Sequence, residues 1–242
     1  IELRGAALLV NGTRVVGEQL TLRAGDHDLK LWLPRASGGT HGAALQPADE
    51  RGALHVSGLV HLVRRGKGLL VINQVDLEEY VKGVVPAEVN STWHVEMLKV
   101  QAVAARTYAL YQHMLSASRD YDVAASIQDQ VYRGRQGVDA RVQEAVESTR
   151  GLVVTHDGAP IYAAFSSTAA GITEDAMVVW SKDLPYLKGV ECPFDVGSPY
   201  YQWKASFRVS ALERNLRHQG FSVGTIATMT PVGLTMRLRR RA

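Results

Sequence analysis

Asp76-Leu77-Glu78-Glu79-Tyr80-Val81-Lys82-Gly83-Val84-Val85-Pro86-Ala87-Glu88-Val89 is the turning point of the chain. Before it lie short apolar runs separated by turn residues; after it the apolar spacing becomes helical. Asp76 is a capping residue with Glu79 three positions on, which predicts a helix starting at Leu77. Pro86 biases the residue before it away from helical geometry and predicts an end by Val85. The capping turn accounts for Glu78 and Glu79. It does not account for Glu88, which follows the predicted helix stop and precedes Trp93, in the company of Val84, Val85, Pro86, Ala87 and Val89. Such neighbours cannot solvate a charge. Desolvation raises a carboxyl pKa, and an acid that stays protonated near neutral pH is the tool needed to protonate a glycosidic oxygen. The ordinary alternative is a solvated loop carboxylate.

Towards the C-terminus, a second helix is predicted from about Val95 to Ser118, with Thr92 as N-cap and Glu96 in its first turn. Ala102, Ala104, Ala105 and Ala109 make its middle small enough for close packing. A third helix, about Ala140 to Thr149, is closed by Gly151. Glu144 and Glu147 belong to its solvated face. Leu152 to Thr155, Asp157-Gly158 and Ile161 to Phe165 read as a hairpin. Tyr200 to Phe207 reads as a strand and Val209 to His218 as a short helix before Gly220. Towards the N-terminus, Leu69 to Ile72 is a buried strand, the turn at Arg65-Gly66-Lys67-Gly68 precedes it, and strands fill Leu54 to Val63. Asn11-Gly12 predicts a tight hairpin, and Arg35 to Arg51, rich in Gly, Ser, Ala and Pro, a flexible loop. There are no internal repeats. The sum is an α+β fold, an antiparallel sheet with flanking helices, leaving room for a small N-terminal β subdomain. It divides into N-terminal β hairpins and loop over 1–51 and a larger domain over 52–242.

With 242 residues, 46% hydrophobic and 21% charged, the chain can bury a substantial core. Lys and Arg outnumber Asp and Glu by 27 to 24. Arg237, Arg239, Arg240 and Arg241 concentrate that excess at the C-terminus, so the body has no basic stripe and no nucleic-acid partner is expected. Cys192 is the only cysteine and cannot pair internally. The eight histidines include no His-x3-His pair, so no metal and no cofactor are expected. No apolar run is long enough to span a bilayer, and the start at Ile1 lacks both Met and a signal-peptide pattern, as in a processed or excised segment.

Leu77 to Val89, then Trp93, then Lys99-Val100-Gln101-Ala102-Val103-Ala104-Ala105-Arg106-Thr107-Tyr108-Ala109, closely resembles the signature of the sporulation stage II D and amidase-enhancer family. Gln130-Val131-Tyr132 with Gly134, Thr149-Arg150-Gly151, Ile161-Tyr162-Ala163, Phe165 to Glu174, Trp180 and Pro185-Tyr186-Leu187 continue the match, over roughly residues 52 to 230. The resemblance implies a peptidoglycan lytic transglycosylase cleaving the β-1,4 bond between N-acetylmuramic acid and N-acetylglucosamine to leave a 1,6-anhydro sugar. Glu88 would be the single catalytic acid and base. A hydrolase needs two carboxylates, whereas here the sugar's own 6-hydroxyl is the nucleophile. Glu174, Asp175 and Asp129 are the nearest further candidates, each among polar neighbours. Arg106, Gln130, Tyr132, Ser166, Ser167 and Thr168 are the expected substrate contacts. Arg106 shares a helix side with Lys99, and a surface salt bridge is its competing role; Tyr132 competes with a core role.

Family members that bind zinc carry His and Cys in the stretch aligned with Phe165 to Glu174. This chain has neither there, and it has Ala170-Gly171 where paired glycines are usual. The implied partners are peptidoglycan glycan strands and other wall hydrolases such as an amidase, and the implied location is the extracytoplasmic envelope. The amidase-enhancer branch leaves open a non-catalytic, peptidoglycan-binding role. After about Gly233 the alternation expected of a closing strand gives way to Arg237-Leu238-Arg239-Arg240-Arg241-Ala242, read as a truncated or out-of-frame end, or as a basic tail for anionic wall polymer.

Overall fold

The computed structural model describes residues 2–4, 7–10, 13–14, 19–24, 28–32, 53–66, 68–202 and 204–228. The loop expected at 35–51, the domain boundary expected at 51 and 52, and the arginine-rich end lie outside the described residues. The chain divides into two compact units, Ile1–Phe165 and Ser166–Ala242.

The first unit opens with β1 (Glu2–Arg4), β2 (Ala7–Val10) and β3 (Thr13–Arg14), a three-stranded antiparallel sheet. Val10 pairs with Thr13; Asn11 and Gly12, the expected turn, lie outside the described residues. Next come β4 (Gln19–Arg23), β5 (Leu29–Trp32), β6 (Ala53–Val56), β7 (Leu59–Arg65) and β8 (Gly68–Gln74). Strand β7 is central, pairing antiparallel with β4 from Gln19↔Val63 to Arg23↔Leu59 and with β8 from Leu59↔Gln74 to Arg65↔Gly68. Strands β5 and β6 form a separate antiparallel pair. Side chains alternate across a strand: Val60 and Leu62 are buried, while His61 between them is bracketed by Thr21 Oγ1 at 2.9 Å and Gln74 Oε1 at 2.8 Å.

Three helices supply the other half of the core: α1 (Leu77–Glu88), α2 (Val95–Leu115) and α3 (Ala140–Ser148). Val81, Val84 and Val85 from α1, Leu98, Ala102, Ala105 and Ala109 from α2, and Val142, Ala145 and Val146 from α3 join Leu54, Val56, Val60 and Leu62 in one buried cluster. The alanines let α2 lie close to its neighbours. Asp76 caps α1, its Oδ1 accepting the backbone N–H of Glu78 at 2.9 Å and of Glu79 at 3.3 Å.

The predicted end of α1 at Val85 is corrected: the helix passes through Pro86 to Glu88. Proline costs one internal hydrogen bond, but Val84 and Val85 are fully buried and the Val89 N–H still reaches the Val85 carbonyl at 3.0 Å. Packing overrides local bias here. The N-cap of α2 is His94 rather than Thr92, and the helix ends at Leu115. The hairpin at Asp157-Gly158 forms with both residues at positive φ, 51° and 77°, joining β9 (Thr155–His156) to β10 (Ala159–Pro160).

The second unit contains β11 (Gly171–Ile172) paired antiparallel with β12 (Glu191–Cys192), the short α4 (Ala176–Trp180), a single 3-10 turn at Pro193–Asp195 and α5 (Val209–His218). Helix α5 has the predicted bounds. Tyr200 to Phe207 is not a strand at its described residues: β-prone side chains do not make a strand without a partner to pair with. No helix among the described residues is long and apolar enough to cross a membrane.

Candidate functional site

Glu88 is the last residue of α1 and lies two turns beyond Val81 and one turn beyond Val84 and Val85, at the spacing that puts it on their side of the helix. That face is buried along its length, and at its end Glu88 is half-buried, at the edge of the core. Its Oε1 accepts the backbone N–H of Val131 at 2.7 Å. The setting is therefore less uniformly apolar than its sequence neighbours imply, because a segment forty residues away brings a polar group to it.

That segment, Asp129 to Gly134, is held at every step. Asp129 accepts the Tyr108 hydroxyl at 2.7 Å and the Ala124 N–H at 2.8 Å. Gln130, fully buried, accepts the Tyr80 hydroxyl at 3.0 Å through Oε1 and donates from Nε2 to the Ala105 carbonyl at 3.4 Å. The Tyr132 hydroxyl donates to Asn73 Oδ1 at 2.9 Å, and its ring stacks on Tyr80 with centroids 5.2 Å apart. Burial, then the nearby charge of Asp129, pushes the Tyr80 phenol well above its ordinary range. Burial, then the hydrogen bond to Asp129, does the same for Tyr108, and burial, then Glu79, for Tyr132. All three stay neutral and act as fixed donors. Two glycines let the segment approach: a Cβ on Gly83 would sit 2.5 Å from the Tyr132 ring and from the Gly134 carbonyl, and one on Gly134, at φ 57°, would sit 1.9 Å from the His55 carbonyl.

Gln130 and Tyr132, expected as sugar contacts, are thus interior residues that fix the backbone carrying Val131. Arg106 is an interior residue as well. It is fully buried, with Nε and Nη2 on the two oxygens of Glu78 at 2.9 and 2.6 Å, Nη2 also on the Val146 carbonyl at 3.4 Å, and Nη1 on the Leu152 carbonyl at 3.1 Å. Spacing does put Arg106 on the side of Lys99, two turns on, but the chain after α3 covers that part of α2. Glu78, assigned to the capping turn, is buried beneath Arg106 and also accepts the Gly151 N–H at 3.2 Å. No local pattern reveals this pair, since 28 residues separate its members.

After Glu88 the chain makes a braced turn. Asn90 Oδ1 accepts the N–H and the hydroxyl of Thr92, each at 2.9 Å, and Arg141 grips the carbonyls of Thr92 and Trp93. In the second unit Ser166 and Ser167 are exposed, while Thr168 shares its hydroxyl with Ser198 Oγ at 2.8 Å. No group of three or more His, Cys, Asp and Glu among the described residues is arranged to hold a metal ion.

Residues 65–156 match the family model described as stage II sporulation protein. Over this segment the chain is similar to the stage II sporulation protein D and amidase-enhancer family. It is 33% identical over 178 residues to a stage II sporulation protein D of Bacillus subtilis, covering 66% of this chain and 52% of that protein. It is 35% identical over 133 residues to an amidase enhancer of the same organism, covering 55% of this chain and 17% of that protein. An uncharacterised protein of Brachyspira hyodysenteriae is 40% identical over 123 residues, 50% of this chain and 33% of that protein. The chain spans about half the length of the sporulation proteins it matches, and less of the others. The sporulation-family segment contains Glu88, Arg106, Gln130 and Tyr132; Ser166, Ser167 and Thr168 fall outside it.

Proposed function

We propose that this chain cleaves peptidoglycan glycan strands as a lytic transglycosylase, with Glu88 as both acid and base. The observation that carries the reading is the Glu88 carboxylate itself, half-buried at the end of a core helix with one oxygen fixed by a backbone N–H and no cation bonded to it among the described residues. Neighbouring carboxylates are otherwise engaged: Glu78 by Arg106, Glu79 by Lys82, Asp129 by Tyr108, and Asp139 by the α3 N-terminus. A lone carboxyl suits a reaction whose nucleophile belongs to the substrate. Oε2 gives its proton to the glycosidic oxygen as the bond from C1 of muramic acid breaks, and N-acetylglucosamine leaves with a free 4-hydroxyl. The muramic acid 6-hydroxyl then bonds to C1 and returns its proton to Glu88. The exposed hydroxyls of Ser166 and Ser167 are proposed as glycan contacts, as is Thr168 through the acceptor capacity left on its shared hydroxyl. The likeness to stage II sporulation protein D supports a wall-related, extracytoplasmic role.

Incubation with glycan strands freed of stem peptides is expected to yield 1,6-anhydromuramyl ends. The Glu88→Gln amide can still accept the Val131 N–H but cannot deliver and retrieve a proton, so it should abolish cleavage with folding unchanged. Turnover within about tenfold of wild type would remove the assignment. The likeness to an amidase enhancer supports a second reading, in which the chain binds glycan and stimulates an amidase without cleaving. Glycan binding with no anhydro product from the wild-type chain would favour it.

A further inference from the structure

The run Ser166-Ser167-Thr168 leads into a backbone that local sequence does not stabilise. Ala170 sits at φ 52° and Gly171 at φ 93°. Glycine adopts such angles freely, but alanine does not, because its Cβ crowds the following carbonyl. Something outside the loop must hold Ala170 there. Asp195, the last residue of the 3-10 turn, is positioned to do so: its Oδ2 accepts the backbone N–H of Ala169 at 2.5 Å and of Ala170 at 2.9 Å. Two successive N–H groups converging on one carboxylate oxygen form charge-assisted bonds, the stronger kind. Pairing of Gly171 with Cys192 and Ile172 with Glu191 brings Asp195 to the loop, and the bond between Thr168 Oγ1 and Ser198 Oγ adds a second tie three residues along. Asp195 Oδ1 is buried and has no hydrogen-bond partner among the described residues.

We infer that Asp195 is a positioning residue for glycan binding: by gripping the Ala169 and Ala170 N–H groups it fixes the loop that presents the Ser166 and Ser167 hydroxyls to the sugar. The inference rests on the glycan-strand reading above and adds to it a residue that touches no substrate. It also explains how this chain keeps alanine at a left-handed position, since the grip replaces the freedom a glycine would bring.

The test uses the 242-residue chain and stem-peptide-free glycan. Asp195→Ala is expected to raise KM about tenfold while kcat stays within about twofold, because the loop binds but takes no part in proton transfer. Asp195→Asn retains an oxygen for both N–H groups and should stay within about threefold of wild type in KM. Adding Ala170→Gly to Asp195→Ala should recover part of the lost affinity, as glycine takes the left-handed angle unaided. That double variant keeps the test open if Asp195→Ala fails to fold: in it, Ser167→Ala should raise KM by an intermediate factor of about threefold, against about tenfold when Asp195 is present. Unchanged KM in Asp195→Ala, or equal effects of Ser167→Ala in both backgrounds, overturns the positioning role alone. A wild-type chain that neither binds nor cleaves glycan overturns the function reading and this role together.

Discussion

At the scale of single residues, Arg106 separates a structural from a recognition role. Its guanidinium meets Glu78 on both oxygens and three carbonyls besides, Ala102 among them at 3.5 Å, so α1, α2 and the chain leaving α3 converge on one group. Removing one member of a buried ion pair strands the other and costs about 3 to 5 kcal/mol. Arg106→Leu and Glu78→Leu should each lower stability by about that amount, while the double variant should cost clearly less than their sum. Urea unfolding of the four chains measures this coupling. Additive losses would show that the pair does not act as a unit, and a glycan KM that rises in Arg106→Leu under conditions where the variant is fully folded would return Arg106 to the substrate. Lysine is no substitute, having no planar fork to bridge Glu78 and the Leu152 carbonyl together.

At the scale of elements, the site is a helix end clamped by an irregular segment, and the clamp depends on Gly83. An alanine Cβ there would collide with both Tyr132 and the Gly134 carbonyl. Overpacking of this kind costs about 1 to 3 kcal/mol. It should also shift Asp129 to Gly134, and with it the Val131 N–H, so Gly83→Ala is expected to lose glycan cleavage beyond what its fall in melting temperature explains. Full activity in the folded variant would show that Val131 does not need to be held against Glu88. The helices were legible because their signals are local: Asp76 as a cap, the alanines of α2, Gly151 at φ 73° and the Asp157-Gly158 turn all stand where the sequence indicates. Glu88 stands out in the sequence because its motif is contiguous, and its catalytic role is a proposal. What sequence could not convey was contact at a distance. Pro86 argued locally for a stop that buried Val84 and Val85 overrule, the sequence left Tyr132 between a sugar contact and a core role and did not show that Gln130 meets Tyr80, and Asp195 meets Ala170 only because β11 and β12 pair.

At the scale of the whole molecule, ion pairs and caps that hold the first unit together set its response to pH. Asp139 is held below its ordinary carboxylate range by the Val142 N–H at the start of α3, against a smaller effect of burial. Glu147 is lowered by Lys82 and then by Arg150, Glu96 by Lys99, and Asp120 by Arg65. A carboxylate lowered by folding adds stability that is present above its unfolded value, 3.8 for aspartate and 4.5 for glutamate here, and is lost as pH falls through the folded value. Lys82 carries the opposite sign: burial pulls it down, but Glu147 and Glu79 together raise it above 10.5, so its contribution is present below that value and fades at higher pH. Melting temperature should therefore be flat from about pH 5 to about pH 10 and fall on both sides. These acidic groups all lie between residues 96 and 147, within the first unit. On acidification, hydrogen exchange corrected for intrinsic rate should quicken in α1 to α3 before it quickens in α5. Glu147→Gln should lower the plateau and flatten both limbs, because it removes its own titration and one of the two carboxylates that raise Lys82. A melting temperature that rises below pH 4, or α5 losing protection first, would show that these pairs are not what links the first unit's stability to protons.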